Sequence, residues 1–193
     1  IDMLATALMT LGDWESVEQL VNENPDLIHK VHPSSSFFSL WPRLDNKDLP
    51  FDDIRIRYAM NLAINQQELV DDYYGGNAAL LAWPYIDAPI FSSIYTPLDQ
   101  QSQIVQDLYG YDVDRAKELM EEAGYPDGFK FTVDCADAEF LSIIKEYLAA
   151  INIDMEINAV EFTVYMSLWM GGTYEQAFFA SDYLVNPRNM MCM

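Results

Sequence analysis

The sequence predicts an α/β fold whose second half is a strand–helix–strand–helix–strand (βαβαβ) core. Three observations lead there. Apolar residues alternate with polar ones at Phe129, Phe131, Val133 and Cys135, the period of a half-buried strand. Between such runs, apolar residues recur at helical spacing, as in Phe140, Ile144, Tyr147, Leu148 and Ile151. Glycines then punctuate the segments where helices must stop. Strands alternating with helices in this way form parallel sheets with right-handed crossovers.

Taken in order, Trp14–Val21 reads as a helix behind Asp13, a suitable N-cap. Leu27–Val31 and Ser36–Leu40 read as short strands around His32-Pro33-Ser34-Ser35, with a turn at Lys47–Pro50. A helix follows Asp52 or Asp53, carrying Ile54, Tyr58, Ala59, Leu62 and Ala63 on its apolar face. Asn65 and Glu68 form a capping-box pattern for a second helix, which Gly75-Gly76 ends. Residues 77–110 read as loop, with Pro84, Pro89 and Pro97 among aromatics. Asp112 caps a helix over Val113–Ala123 that stops at Gly124. The core follows: a strand at Phe129–Cys135, the helix from Phe140 to Ile151, and a strand through Ile153, Met155, Ile157 and Ala159. A helix through Val164, Leu168 and Trp169 then ends at Gly171-Gly172, and a strand runs from Gln176 to Ala180.

Composition narrows the function. The chain has 193 residues, 51% of them apolar, and a formal charge of −21. That acidity argues against nucleic acid and anionic membranes, which require clustered Lys and Arg. No apolar run approaches the roughly 18–20 residues that span a bilayer. The start at Ile1-Asp2-Met3 and the end at Met190-Met191-Cys192-Met193 both read as cuts inside a longer protein. Cys135 and Cys192 fit either one bridge or two buried thiols.

Little points to catalysis. His29 and His32 lie three apart in an expected strand and so face opposite sides, which disfavours a shared metal. Neither Gly75-Gly76 nor Gly171-Gly172 has the spacing of a phosphate loop. The acid pairs Asp52-Asp53, Asp71-Asp72 and Glu121-Glu122 adjoin helix ends or polar helix faces, where capping and solvated carboxylates are the rule. No catalytic residue, metal or cofactor is expected. The exit of the last strand, Ala180-Ser181-Asp182-Tyr183, differs in kind. Ligands of open α/β sheets lie beyond the carboxyl ends of the strands, so Asp182 can either offer a charge to a cationic group or cap the turn before Pro187.

Two segments carry a family resemblance. Pro50-Phe51-Asp52-Asp53-Ile54-Arg55-Ile56-Arg57-Tyr58-Ala59-Met60-Asn61-Leu62-Ala63-Ile64-Asn65 resembles the signature P-F-D-D-x-R-V-R-x-A-L-x-x-A-I-D. Tyr111-Asp112-Val113-Asp114-Arg115-Ala116-Lys117-Glu118-Leu119-Met120-Glu121-Glu122-Ala123-Gly124-Tyr125-Pro126-Asp127-Gly128-Phe129 resembles Y-D-P-x-x-A-K-x-L-L-x-E-A-G-Y-P-D-G-F. Both belong to the family 5 extracellular solute-binding proteins of ABC transporters, the oligopeptide, dipeptide and nickel binders. The resemblance implies a periplasmic-binding-protein-like lobe (type II, cluster C). Residues 1–193 would then be a single partial domain, most of the second lobe of a two-lobed clamp whose first lobe is absent.

The implied function is capture of oligopeptides or dipeptides for import, with no chemistry on the ligand. The implied partners are a small peptide and the permease subunits. The implied setting is a monomer in the periplasm, or one lipid-anchored outside the membrane. Nickel chelates, sugars or other small solutes are alternatives, as is the ligand-sensing domain of a transcription regulator. In peptide binders an aspartate in a segment like A-D-Y-x-(D/E)-P pairs with the ligand's α-amino group. Asp182 is the matching residue here and Tyr183 its neighbour, although Pro187 lies one residue further along and Asn186 replaces an acid. Leu40-Trp41-Pro42 stands where members carry Phe-Asn. Under this reading Trp83, Tyr85, Phe91 and Tyr95 are candidates for lining the cleft.

Overall fold

The computed structural model describes residues 14–29, 36–78, 80, 92–93 and 95–183. Its elements follow in the order α1 (Trp14–Glu23), β1 (Ser36–Pro42), α2 (Ile54–Leu62), α3 (Gln66–Glu68), α4 (Gln103–Leu108) and α5 (Val113–Glu122). The core then runs β2 (Lys130–Cys135), α6 (Glu139–Ala149), β3 (Asp154–Ala159), α7 (Phe162–Gly171) and β4 (Ala177–Tyr183). Two compact units are present. One comprises Ile1–Pro33 and Gln66–Leu80, the other Ser34–Asn65 and Leu81–Met193.

In the larger unit the βαβαβ core is as expected. β2 runs parallel to β3 on one side and to β4 on the other. The full sheet has the order β1-β4-β2-β3, and β1 lies antiparallel to β4, from Ser36↔Tyr183 to Pro42↔Ala177. A parallel sheet with an antiparallel edge strand is common, since the edge needs no crossover helix. The alternation in β2 is realised as burial of Phe131, Val133 and Cys135. Across it α6 buries Leu141, Ile144 and Leu148, one helical stripe.

The two segments that carry the resemblance pack on each other. α2 buries Ile56, Ala59, Met60 and Leu62, and its neighbour α5 buries Ala116, Leu119 and Met120. The Asp112 amide donates to the Leu62 carbonyl at 3.0 Å, and Arg55 Nη1 donates to the Glu122 carbonyl at 2.7 Å. Phe51, fully buried, meets Phe129 and Phe131 edge-on and ties this layer to the sheet. Asp53, not Asp52, caps α2 by accepting from the Arg55 amide at 2.9 Å. Asp112 caps α5 likewise, accepting from the Arg115 amide at 2.9 Å. Asp112→Ala is expected to cost about 1 kcal/mol. Urea unfolding should show a lower midpoint at an unchanged slope.

Three expectations need correction. Leu27–His29 is irregular rather than strand, with Ile28 97% exposed; Lys30 and Val31 lie outside the described residues. The expected loop over 77–110 contains a short 3-10 turn, Leu98–Gln100, and helix α4, because Ile104, Val105 and Leu108 recur at helical spacing behind Ser102. The last strand does not stop at Ala180 but continues to Tyr183, since β1 offers those residues a partner. α7 forms where expected, yet none of its residues is buried.

In the smaller unit, α3 passes into a π-helical turn at Leu69–Tyr73. The Gly76 amide closes it on the Val70 carbonyl at 2.8 Å. Gly75 and Gly76 take φ of +54° and +76°, as an L-residue rarely does. The Trp14 side chain lies so close to Gly75 that a Cβ there would come within 2.8 Å of it.

Candidate functional site

β2, β3 and β4 run parallel, so their carboxyl ends share one rim of the sheet. Asp182 and Tyr183 lie on that rim as the last residues of β4, paired in the ladder with Phe37 and Ser36. The sequence placed Asp182 where the chain leaves the sheet; it stands inside the strand, because β1 extends the pairing. Around the rim, the Val160 amide donates to the Cys135 carbonyl at 2.9 Å, joining the ends of β2 and β3. Asn158 donates to Asp134 at 2.6 Å, and Glu161 caps α7 by accepting from the Thr163 amide.

Rings from three elements meet on the same rim. Phe38 of β1 stacks on Phe140 at 4.9 Å and on Phe179 of β4 at 5.5 Å. Phe140, in the first turn of α6, lies 5.9 Å from Phe179, and the three ring planes agree to within 28°. Phe38 remains 46% exposed. No sequence signal isolates this cluster, since it needs the pairing of β1 with β4 and the start of α6. Elsewhere Phe178 is buried under Tyr165 of α7 at 4.8 Å and Tyr174 at 5.4 Å.

Cys135 is a free thiol, fully buried at the end of β2. Burial, aided by Asp137 and Asp134, pushes it up to about 11, so it stays protonated at neutral pH and is a poor nucleophile. Cys192 and His32 lie outside the described residues, and His29 is exposed in an irregular segment. Among the described residues no three metal-ligating side chains come together. The acid pairs have structural neighbours: Asp52 binds Lys47 at 2.7 Å, Asp53 caps α2, Asp71 accepts from Gln67, and Glu122 binds Arg115 at 2.9 Å. Of the loop aromatics, Tyr95 is half-buried, while Trp83, Tyr85 and Phe91 lie outside the described residues.

At the opposite end of β4 is an open recess of about 410 Å³ lined by Arg43, Asp45, Asn46, Thr173, Tyr174 and Glu175. Arg43 organises it, donating to Asp45 through Nε and Nη2 at 2.7 Å and through Nη1 to the Gly172 and Tyr174 carbonyls at 3.0 Å. Its guanidinium is thereby committed to joining the exit of β1 to the entry of β4, and the recess is a clasp rather than a site. The Arg43 hydrogen bond holds the Asp45 carboxyl down from 3.8 to about 2. A lowered carboxylate stabilises the fold above its unfolded value and loses that contribution as pH falls through the folded one. Asp45→Asn should therefore flatten the acid limb of stability between pH 3.8 and about 2, read by circular dichroism.

The three parallel strands, their flanking helices and the antiparallel edge define a lobe of the periplasmic binding proteins, type II, cluster C. The chain belongs to the bacterial extracellular solute-binding proteins of family 5 (middle), which it matches over residues 5–189. It is 29% identical over 145 residues to the glutathione-binding protein GsiB of Salmonella choleraesuis (strain SC-B67), covering 72% of this chain and 25% of the relative. Among solved structures it is similar to the periplasmic binding protein DppA of Helicobacter pylori in complex with peptide STSA. The TM-score there is 0.68 at 27% identity, over 93% of this chain and 33% of that one. A dipeptide-binding protein of Pseudoalteromonas sp. SM9913 shares the fold, with a TM-score of 0.66 at 17% identity over 89% of this chain and 33% of that one. The chain thus spans about a quarter of the curated relative and a third of the solved neighbours.

Proposed function

We propose that this chain is the ligand-capturing second lobe of an ABC-transporter substrate-binding protein that collects oligopeptides or dipeptides for import. The observation that carries the reading is the likeness to DppA, 27% identical over 93% of this chain and holding a peptide. On this reading residues 1–193 are a single partial domain, and a first lobe outside this chain closes over the ligand by hinge motion. Main-chain hydrogen bonds hold the peptide backbone whatever its sequence, and Asp182 fixes its amino end by a charge-assisted bond. Tyr183, next along β4, shapes the same end of the site. The peptide is passed unaltered to the permease subunits. The protein works as a monomer outside the cytoplasm, in the periplasm or lipid-anchored to the outer face of the membrane.

Mass spectrometry of ligand co-purified with the full-length protein tests this. Short peptides are expected; a sugar or a nickel chelate in their place overturns the peptide assignment.

A further inference from the structure

We propose that the outward face of α7 is a docking surface for the part of the full-length protein that lies outside these 193 residues. On the reading above, on which this rests, that part is the first lobe of the clamp. Three observations carry it, and the first is chemical. α5 turns Asp114, Lys117, Glu118 and Glu121 to water, and α6 turns Glu139, Ser142 and Glu146. α7 has no charged residue among its ten, in a chain that carries 31 acids. It exposes Phe162 at 61%, Val164 at 48%, Trp169 at 42% and Met170 at 83%. Surface helices turn charged and polar residues outward, and a helix apolar nearly all round is a covered one. Contiguous exposed apolar surface marks a contact with other protein.

The second observation is that the inner side of the helix is held. Tyr165 stacks on the buried Phe178 at 4.8 Å. The Glu161 carboxylate accepts from the Thr163 amide at 2.9 Å, and Gly172 ends the helix at φ +58°. The exposed side chains therefore belong to a fixed surface.

The third observation is the place and size of the face. α7 follows closely on the carboxyl end of β3, so Phe162 in its first turn stands at the rim where open α/β sheets receive ligands. A second lobe that closes over the ligand approaches that rim. Ten residues make a helix about 15 Å long and about 10 Å across, which offers roughly 150 Å² outward. Each partner in a stable complex of separate proteins brings about 800 Å². Two copies of this chain, each with a formal charge of −21, would also repel one another. A lobe of the same chain meets the face at high effective concentration, so a small contact suffices. DppA, of which this chain covers 33%, has the length for such a lobe.

Hydroxyl-radical footprinting read by mass spectrometry tests this on the unaltered full-length protein. Met170 and Trp169 are expected to oxidise at least about tenfold more slowly in the native than in the urea-unfolded protein, the protection of a site reached only by local opening. Phe162 replaced by the photo-cross-linker benzoylphenylalanine then identifies what covers the face. The expected product is a cross-link to a peptide outside residues 1–193 of the same molecule. Cross-linked dimers, or cross-links confined to residues 1–193, overturn the docking. Short peptides co-purifying with a protein whose Met170 oxidises as fast as when unfolded overturn the docking and leave the peptide reading standing. A full-length chain without a first lobe overturns both.

Discussion

Asp182→Asn in the full-length protein is expected to weaken peptides with a free amino terminus by about 10- to 150-fold. This is the range for losing one charge-assisted hydrogen bond. The substitution keeps the shape of the side chain and removes its charge, so the loss should fall on the ligand's ammonium group. N-acetylated peptides have no such group and should already bind weakly, with little further change. Parallel calorimetry on matched free and acetylated peptides separates the two. Equal losses would assign Asp182 to the architecture of β4 rather than to the ligand, a role its pairing with Phe37 also makes possible.

Gly128→Ala is expected to cost about 2–5 kcal/mol, adding an unfavourable φ to a clash that the fold must absorb. Gly128 holds φ +72°, and a Cβ built there would stand 1.8 Å from the Asn152 carbonyl oxygen and 2.4 Å from its carbon. Asn152 has no room to withdraw. It is itself at φ +62°, its amide donates to Ala149, and its side chain donates to Pro126 at 3.1 Å. The next contact along, from the Asp154 amide to the Phe129 carbonyl at 2.9 Å, begins the pairing of β2 with β3. Gly124→Ala is the natural control, because Gly124 has φ +89° but nothing within 4 Å of its Cβ position. It should cost only about 1–2 kcal/mol. Similar urea midpoints for the two variants would mean that close approach contributes nothing.

Local chemistry is what the sequence exposes well. Asp112 and Gly124 bound α5 because a cap and a left-handed stop are short-range requirements. β2 is visible because Phe131, Val133 and Cys135 alternate on a sheet with one buried side. What escaped depends on partners far along the chain. Nothing within Ser36–Pro42 says that it pairs antiparallel with Ala177–Tyr183, and without that pairing β4 reads as ending before Asp182. The π-helical turn at Leu69–Tyr73 is hidden for a related reason, since one extra residue in a turn leaves the apolar pattern almost unchanged. α7 shows the converse. Its apolar sequence satisfies a helical template, yet Phe162, Val164, Trp169 and Met170 are all exposed. At the site, Asp182 stood out by its place at the exit of an apolar strand and took a specific role only through the family resemblance, whereas the Phe38 cluster requires three elements to be placed at once.

The strand order also sets a timetable. The ladder between β1 and β4 joins segments roughly 140 residues apart, whereas β2 and β3 are separated by little more than one helix. Loop closure over the shorter distance costs less, so β2, α6 and β3 can assemble early. β1, although it precedes the other three strands in the chain, must wait for the strand beside which it lies. Until then the inner edge of β2 is unpaired, an invitation to mispairing that a slow or stalled ribosome would prolong. The strand carrying Asp182 is therefore the one that completes the sheet.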